Sequence, residues 1–269
     1  MSDALDRLVA EVLQSPKYRQ ISPELVRAVG ARELAARRTL KDAVKETKAR
    51  LHQVAGAFLD RAPRYEAWLA ELRAAAGDDA ALRAACRTIM AGHASTRERL
   101  PQLEPFYREV FAALPPVGTL LDVACGLNSL AAPWMDLAPG ARYLACDLYA
   151  DMCAFVGAAL PLLGLAGEAA VWDLAAAPPP WPADAALVLK TLPVLEHTRR
   201  GAGRDLLRGL AARHLVVSFP TRSLGGRNVG MAATYGAQMR AIAEDEGWGY
   251  TTLEFANELV FVVTKGEAG

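Results

Sequence analysis

The chain has 269 residues, is 52% hydrophobic and carries a formal net charge of zero. That is enough apolar material for one large domain or two modest ones, and it excludes a disordered or fibrous chain. No run of 18 apolar residues exists, so a membrane span is excluded, and the opening MSDALDRLVAEVLQSPKYRQ has no apolar core of a signal peptide, so a cytoplasmic location is expected.

The first hundred residues read as helices. Leu5, Leu8, Val9, Val12 and Leu13 repeat at i, i+3, i+4, i+7 and i+8, one apolar stripe that Ser15 and Pro16 end. Ser22-Pro23-Glu24 opens the next helix, with Ser22 as its cap and Pro23 in its first turn. One long helical stretch, rich in Ala, Arg and Lys, is expected from there to about Leu59. Pro63 breaks it, and helices over 65–76 and 80–91 follow, separated by the turn Gly77-Asp78-Asp79. No strand pattern precedes residue 117. Residues 1–105 hold 18 Lys and Arg against 14 Asp and Glu, whereas 106–269 hold 12 against 16; residues 17–50 alone hold 10 against 4. Such segregation is what a nucleic-acid partner requires of a chain with no net charge, although a solvated helical face has the same composition. The expected division is a basic helical domain over 1–105 and a second domain over 106–269.

After Pro115-Pro116 the pattern changes. Short apolar runs at 119–125, 141–147, 169–173, 184–190 and 213–220 alternate with helical stretches at 151–163, 203–212 and 232–246, and two further runs, YTTLEFAN and ELVFVVTK, close the chain. This alternation is the pattern of an α/β doubly wound, mostly parallel sheet. Ala175–Pro182 is a proline-rich loop inside that domain. The four cysteines, Cys86, Cys125, Cys146 and Cys153, form no CxxC pair and have no matching histidines, so they read as buried thiols and no metal site is expected.

In an open α/β sheet, ligands bind outside the carboxyl ends of the strands. Those ends carry Asp122-Val123-Ala124-Cys125-Gly126-Leu127-Asn128, then Asp147, then Asp173, at intervals of 25 and 26 residues, one βαβ step each. Gly126 permits a tight turn and a close ligand approach. A carboxylate after the second strand suits a ribose diol, and one after the third suits an exocyclic adenine amine. The loop is not GxGxxG and makes a poor pyrophosphate cradle, which favours S-adenosylmethionine (SAM) over a dinucleotide. Upstream, His93-Ala94-Ser95-Thr96-Arg97-Glu98-Arg99-Leu100 offers Arg97 or Arg99 as a fork for the SAM carboxylate. The same residues also read as a capping box, with Ser95 or Thr96 capping and Glu98 reaching back.

Four stretches, HASTRERL (93–100), DVACGLNSLA (122–131), LVLKTLPVLEH (187–197) and VVSFPTRSLGGR (216–227), together with SPKYR (15–19), resemble the aminoglycoside-resistance methyltransferases that modify N7 of guanine 1405 in 16S ribosomal RNA. The resemblance spans most of the chain. It departs at Asn128-Ser129-Leu130, where that family usually has Asn-Pro-Leu, and at His197-Thr198, where it usually has Gln-Gln.

The resemblance implies a Rossmann-like class I fold with a seven-stranded sheet, SAM as cofactor, and 16S rRNA in the 30S subunit as partner. It implies that His93, Ala94, Ser95, Thr96, Arg97, Glu98 and Arg99 wrap the methionine end, with Ala124 and Gly126 beneath the cofactor. Asp147 would face the ribose, Asp173 and Leu174 the adenine, with Leu189, Thr198 and Phe58 completing the wall. Lys190, Glu196, Arg222 and Arg227 are the candidates for holding the target guanine, and Lys17, Arg19, Arg37, Arg38, Lys41, Lys45 and Lys48 for contacting phosphates. Arg37, Lys41, Lys45 and Lys48 are spaced to lie on one helical face. N7 has a free lone pair and no proton to lose, so no general base is expected. A monomer is expected. The competing readings are a small-molecule SAM methyltransferase and an RNA-binding module without catalysis.

Overall fold

The computed structural model describes residues 2–16, 18–54, 63–221 and 231–266. Lys17, Phe58, Arg222 and Arg227 lie outside the described residues. Three helices come first: α1 (Ser2–Leu13), α2 (Pro23–Ala36) and α3 (Leu40–Val54). The stripe on α1 is buried at Leu8, Val9 and Val12, against Val26 of α2 and Ala43, Val44 and Leu51 of α3. Ser22 caps α2, its Oγ accepting from Leu25 N at 3.4 Å. The expected single long helix is two helices. Thr39 is the reason: its Oγ1 accepts from Asp42 N and donates to Asp42 Oδ2, starting α3 afresh, while Arg37 is extended. Arg37 therefore does not share a helical face with Lys41, Lys45 and Lys48.

Four more helices lead to the sheet: α4 (Tyr65–Ala74), α5 (Asp79–Met90), α6 (Ala94–Arg99) and α7 (Leu103–Ala112). Asp78 caps α5 through Ala80 N and Ala81 N. The apolar cores divide the chain elsewhere than at residue 105. Trp68, Leu72, Ile89, Met90, Phe106 and Val110 pack with the sheet residues Leu120, Tyr143 and Val260, whereas α1–α3 form their own core, joined by Leu148 and Tyr149. The α1–α3 unit is tied to the sheet domain by an isolated bridge between Ile21 and Tyr149. Ala150 N donates to Gln20 O at 2.9 Å and Ser22 N to Leu148 O at 3.3 Å.

The sheet has seven strands in the order β3-β2-β1-β4-β5-β7-β6: β1 (Val117–Val123), β2 (Leu137–Asp147), β3 (Ala166–Val171), β4 (Ala183–Leu189), β5 (Ala212–Pro220), β6 (Gly249–Phe255) and β7 (Glu258–Thr264). β1 to β5 are parallel, and the terminal hairpin places β7 antiparallel to β5. This is the class I methyltransferase arrangement. Helix α8 (Ala150–Ala159) follows β2 and passes into a 3₁₀ turn at Pro161, shorter than the expected 151–163 because proline removes a backbone donor there. Helices α9 (Leu192–Thr198), α10 (Ala202–Gly209) and α11 (Met231–Glu246) complete the fold. Among the described residues no helix is long and apolar enough to cross a membrane.

Candidate active site

β1 lies between β2 and β4, so the direction of chain winding reverses beside it, and ligands collect at the carboxyl ends of such strands. A cleft opens there, enclosing about 1120 Å³ with the open solvent at its mouth included. Its wall takes residues from the strand ends, from α6 and α9, and from α2 and α3, which contribute Leu25, Val29 and Leu51.

The strand ends bring the expected carboxylates together. Asp147 Oδ2 accepts from Gly126 N at 2.9 Å and Oδ1 from Leu148 N at 2.7 Å, so backbone amides aim it into the cleft. Burial pushes its carboxyl up from the usual value, and those amides oppose the rise. Asp173, two residues beyond β3, accepts from Ala175 N at 2.9 Å and is also raised by burial. Asp122 lies one residue inside β1 and is fully buried. It accepts from Tyr143 Oη at 2.6 Å and Asn128 Nδ2 at 3.0 Å, and burial pushes its carboxyl up to about 6 against those two hydrogen bonds.

The turn after β1 needs its glycine for two reasons. Gly126 has φ +51°, and a Cβ there would stand 2.9 Å from the His93 ring. Ala124 (φ +51°) and Lys190 (φ +57°) are left-handed without being glycine, at the ends of β1 and β4, and both line the cleft. Such conformations cost about 1–3 kcal/mol each and persist where the surrounding structure fixes them.

His93, Ser95, Thr96 and Arg99 line the cleft from the α6 side. The capping box does not form. His93 is the N-cap residue but its side chain makes no capping bond, Thr96 Oγ1 donates to Met90 O and His93 O, and Glu98 pairs with Lys190 Nζ at 2.7 Å. Arg99 is 1% exposed and sits in a fork-to-fork pair with Glu258 of β7, Nε at 3.1 Å and Nη2 at 2.7 Å. Its Nη1 donates to Asn128 Oδ1 at 2.9 Å and reaches Tyr107 Oη at 3.5 Å, and Phe106 stacks under the guanidinium. A guanidinium has five donors, and these partners take two for Glu258 and one each for Asn128 and Tyr107. Glu258 is buried as deeply. Burial alone would raise its carboxyl, but Arg99 and Lys190 outweigh that and hold it below the usual value.

The remaining expected residues divide. Leu174, Leu189, Lys190 and Thr198 line the cleft. Ala94, the first residue of α6, is buried, and Arg97 is exposed, with Nη1 donating to Ala91 O. Glu196 is not among the residues lining the cleft. Its two oxygens accept from Gly201 N and Gly203 N, each at 2.9 Å, so it anchors the start of α10. Arg19, Arg38, Lys41 and Lys45 are exposed and Lys48 is half-buried, while Arg37 is paired with Glu33 and Glu46. Asn128, Tyr149, Met152, Trp172, Thr191 and Val194 line the cleft although sequence reasoning does not single them out, as do the three α2–α3 leucine and valine residues. Asn128 has a signal, its place two residues after the turn glycine; Glu258 has none.

The chain matches the family described as ribosomal RNA methyltransferase (FmrO) over residues 14–262. It is 44% identical to a 16S rRNA (guanine(1405)-N(7))-methyltransferase of Micromonospora echinospora, covering 98% of this chain and 97% of that one. It is 45% identical to the protein of the same name from Frankia casuarinae, covering 97% and 94%. Among solved structures, the 16S rRNA methyltransferase RmtF in complex with S-adenosyl-L-homocysteine superposes with a TM-score of 0.83 at 34% identity, covering 99% of this chain and all of that one.

Proposed function

The chain belongs to the ribosomal RNA methyltransferase (FmrO) family, and on that premise we propose that it methylates N7 of guanine 1405 of 16S rRNA within the 30S subunit and so confers aminoglycoside resistance. One observation carries the reading: Asp147 and Asp173 line one cleft together with apolar residues, and the left-handed Gly126 turn donates its amide to Asp147. Paired carboxylates among Leu148, Met152, Trp172 and Leu174 match an adenosine, whose sugar and amine are donors and whose ring is flat and apolar. A Cβ at position 126 would press on the His93 ring, which lines the same cleft.

SAM supplies a methyl group on a sulfonium, ready for in-line displacement. The chain's own residues position and shield. Asp147 would hold the ribose hydroxyls, Asp173 and Leu174 the adenine, and His93, Ser95, Thr96 and Arg99 the methionine end. No side chain has to remove a proton, because N7 offers its lone pair directly. Catalysis then rests on holding two reactants in line, worth up to about 7–11 kcal/mol in well-oriented systems. Lys190, and with it Arg222 and Arg227, would steady the guanine, which must leave its stack at a cost of a few kcal/mol. N7 is an acceptor on the major-groove edge. Methylating it removes that acceptor and adds a positive charge, both unfavourable for a polycationic aminoglycoside.

The α1–α3 unit would dock on the folded RNA, with Lys17, Arg19, Arg38, Lys41, Lys45 and Lys48 on phosphates, interactions that set affinity but not sequence. In this reading the protein acts as a monomer in the cytoplasm. The test is to incubate it with radiolabelled SAM and 30S subunits, then map the product by borohydride and aniline cleavage. Label with cleavage at guanine 1405 is expected. Labelled RNA without cleavage would exclude N7, and SAM binding without labelled 30S subunits would exclude that target.

A further inference from the structure

The turn between β6 and β7, Ala256-Asn257-Glu258, makes more polar interactions with the cleft's surroundings than a hairpin turn needs. Asn257 Nδ2 donates to Glu98 O at 2.5 Å, and its Oδ1 accepts from Gln102 Nε2. Ala256 N donates to Gln102 Oε1 at 3.2 Å, so α6 is gripped at its last turn and just beyond. Asn257 O accepts from Thr221 N at 3.1 Å, where β5 ends. Glu258 then takes the fork of Arg99, accepts from Ser218 Oγ at 2.5 Å, and lies 3.7 Å from Lys190 Nζ. Ser218 Oγ in turn accepts from Lys190 N at 3.1 Å, fixing the left-handed residue at the end of β4. A buried ion pair is weak evidence for stability, because desolvation offsets most of the attraction. Its value is geometric: Arg99 and Lys190, which both line the cleft, are held from behind by one carboxylate.

We infer that Asn257 and Glu258 are positioning residues for the methyl transfer, holding α6 and Arg99 in the orientation that the methionine end of SAM requires, while Lys190 keeps its 2.7 Å pair with Glu98 whether or not Glu258 is charged. This rests on the methyltransferase reading given above. Charge alone predicts the opposite effect of neutralising Glu258, since two cations freed of their counterion should attract the SAM carboxylate more strongly. A loss of affinity therefore reports lost orientation.

The experiment uses the full chain, with SAM titrated by calorimetry and methyl transfer to 30S subunits followed over a range of SAM concentrations. Glu258→Gln should raise both the Kd and the KM for SAM by about tenfold or more, with kcat at saturating SAM little changed. Asn257→Ala, at a half-buried position, should do the same more weakly and decides the matter if Glu258→Gln does not fold. Asp184→Asn is the comparison for a purely structural loss. Asp184 accepts from Gly118 N and Thr119 N at the far end of the sheet, so its variant should melt lower with the Kd for SAM unaltered. Unchanged or tighter SAM binding in the folded Glu258 and Asn257 variants overturns the inference alone. A wild-type chain that binds no SAM overturns the methyltransferase reading and the inference with it.

Discussion

Asp122 is a buried carboxyl and Asp147 a half-buried one, both near the end of a β-strand, and they do different work. Asp147 faces the cleft with its two oxygens aligned by the amides of Gly126 and Leu148. Asp147→Asn removes a charged acceptor while keeping its shape, and hydrogen bonds to charged groups are worth about 1.5–3 kcal/mol. SAM affinity, measured by calorimetry, should fall about tenfold to a hundredfold. Asp122 instead receives Tyr143 and Asn128 in the wall, and its carboxyl titrates at about 6 against an ordinary 3.8. A raised carboxyl favours the fold while it is protonated. Its contribution is thus complete below about pH 4 and is lost as pH rises through 6, about 3 kcal/mol at one unit per 1.36 kcal/mol. Urea denaturation of the wild type and Asp122→Asn from pH 4 to pH 7 should show a steeper loss of stability in the wild type than in the variant, which keeps the raised Asp147 and Asp173. Equal slopes would place the titration elsewhere.

The helices and strands show which parts of the molecule a sequence announces. Lys41 and Lys45 lie exposed one turn apart on α3, as their spacing requires. Reversing both to Glu should weaken binding to 30S subunits and flatten its dependence on salt, by about one unit of slope for each phosphate no longer neutralised. SAM affinity should not move. A filter-binding series over salt concentration checks this, and an unaltered slope would remove α3 from the RNA interface. The strands are legible because their apolar runs are short and evenly spaced, and the acids at their ends because each βαβ step has nearly the same length. Two things are not. The break between α2 and α3 comes from Thr39 bonding to Asp42, a local competition that apolar periodicity does not register. The partner of Arg99 lies 159 residues away on the last hairpin, and no repeat or spacing connects position 99 with 258. Glu196 escapes sequence reasoning for a similar reason: position on α9 suggests the cleft, but the backbone donors of Gly201 and Gly203 lie within reach on the other side.

Over the whole molecule, the sheet fixes the chemistry and the N-terminal helices close one side of it. α1–α3 have a core of their own, yet Leu25, Val29 and Leu51 line the cleft, so the unit proposed to dock on RNA is also part of the wall of the proposed cofactor site. α3 packs against α9, and the join between the two is completed by the Ile21–Tyr149 bridge and the backbone bonds of residues 20 and 22 to residues 150 and 148. Those residues directly follow Asp147. If the helices dock on the subunit as proposed, whatever holds them still would also hold the peptide beside the proposed ribose site, and free energy could pass between the two ligands. Linkage makes such coupling reciprocal: the factor by which the subunit tightens SAM is the factor by which SAM tightens the subunit. Titrating SAM into the free protein and into its 30S complex should give a lower Kd in the complex, and equal constants would mean that docking and cofactor capture proceed as independent events.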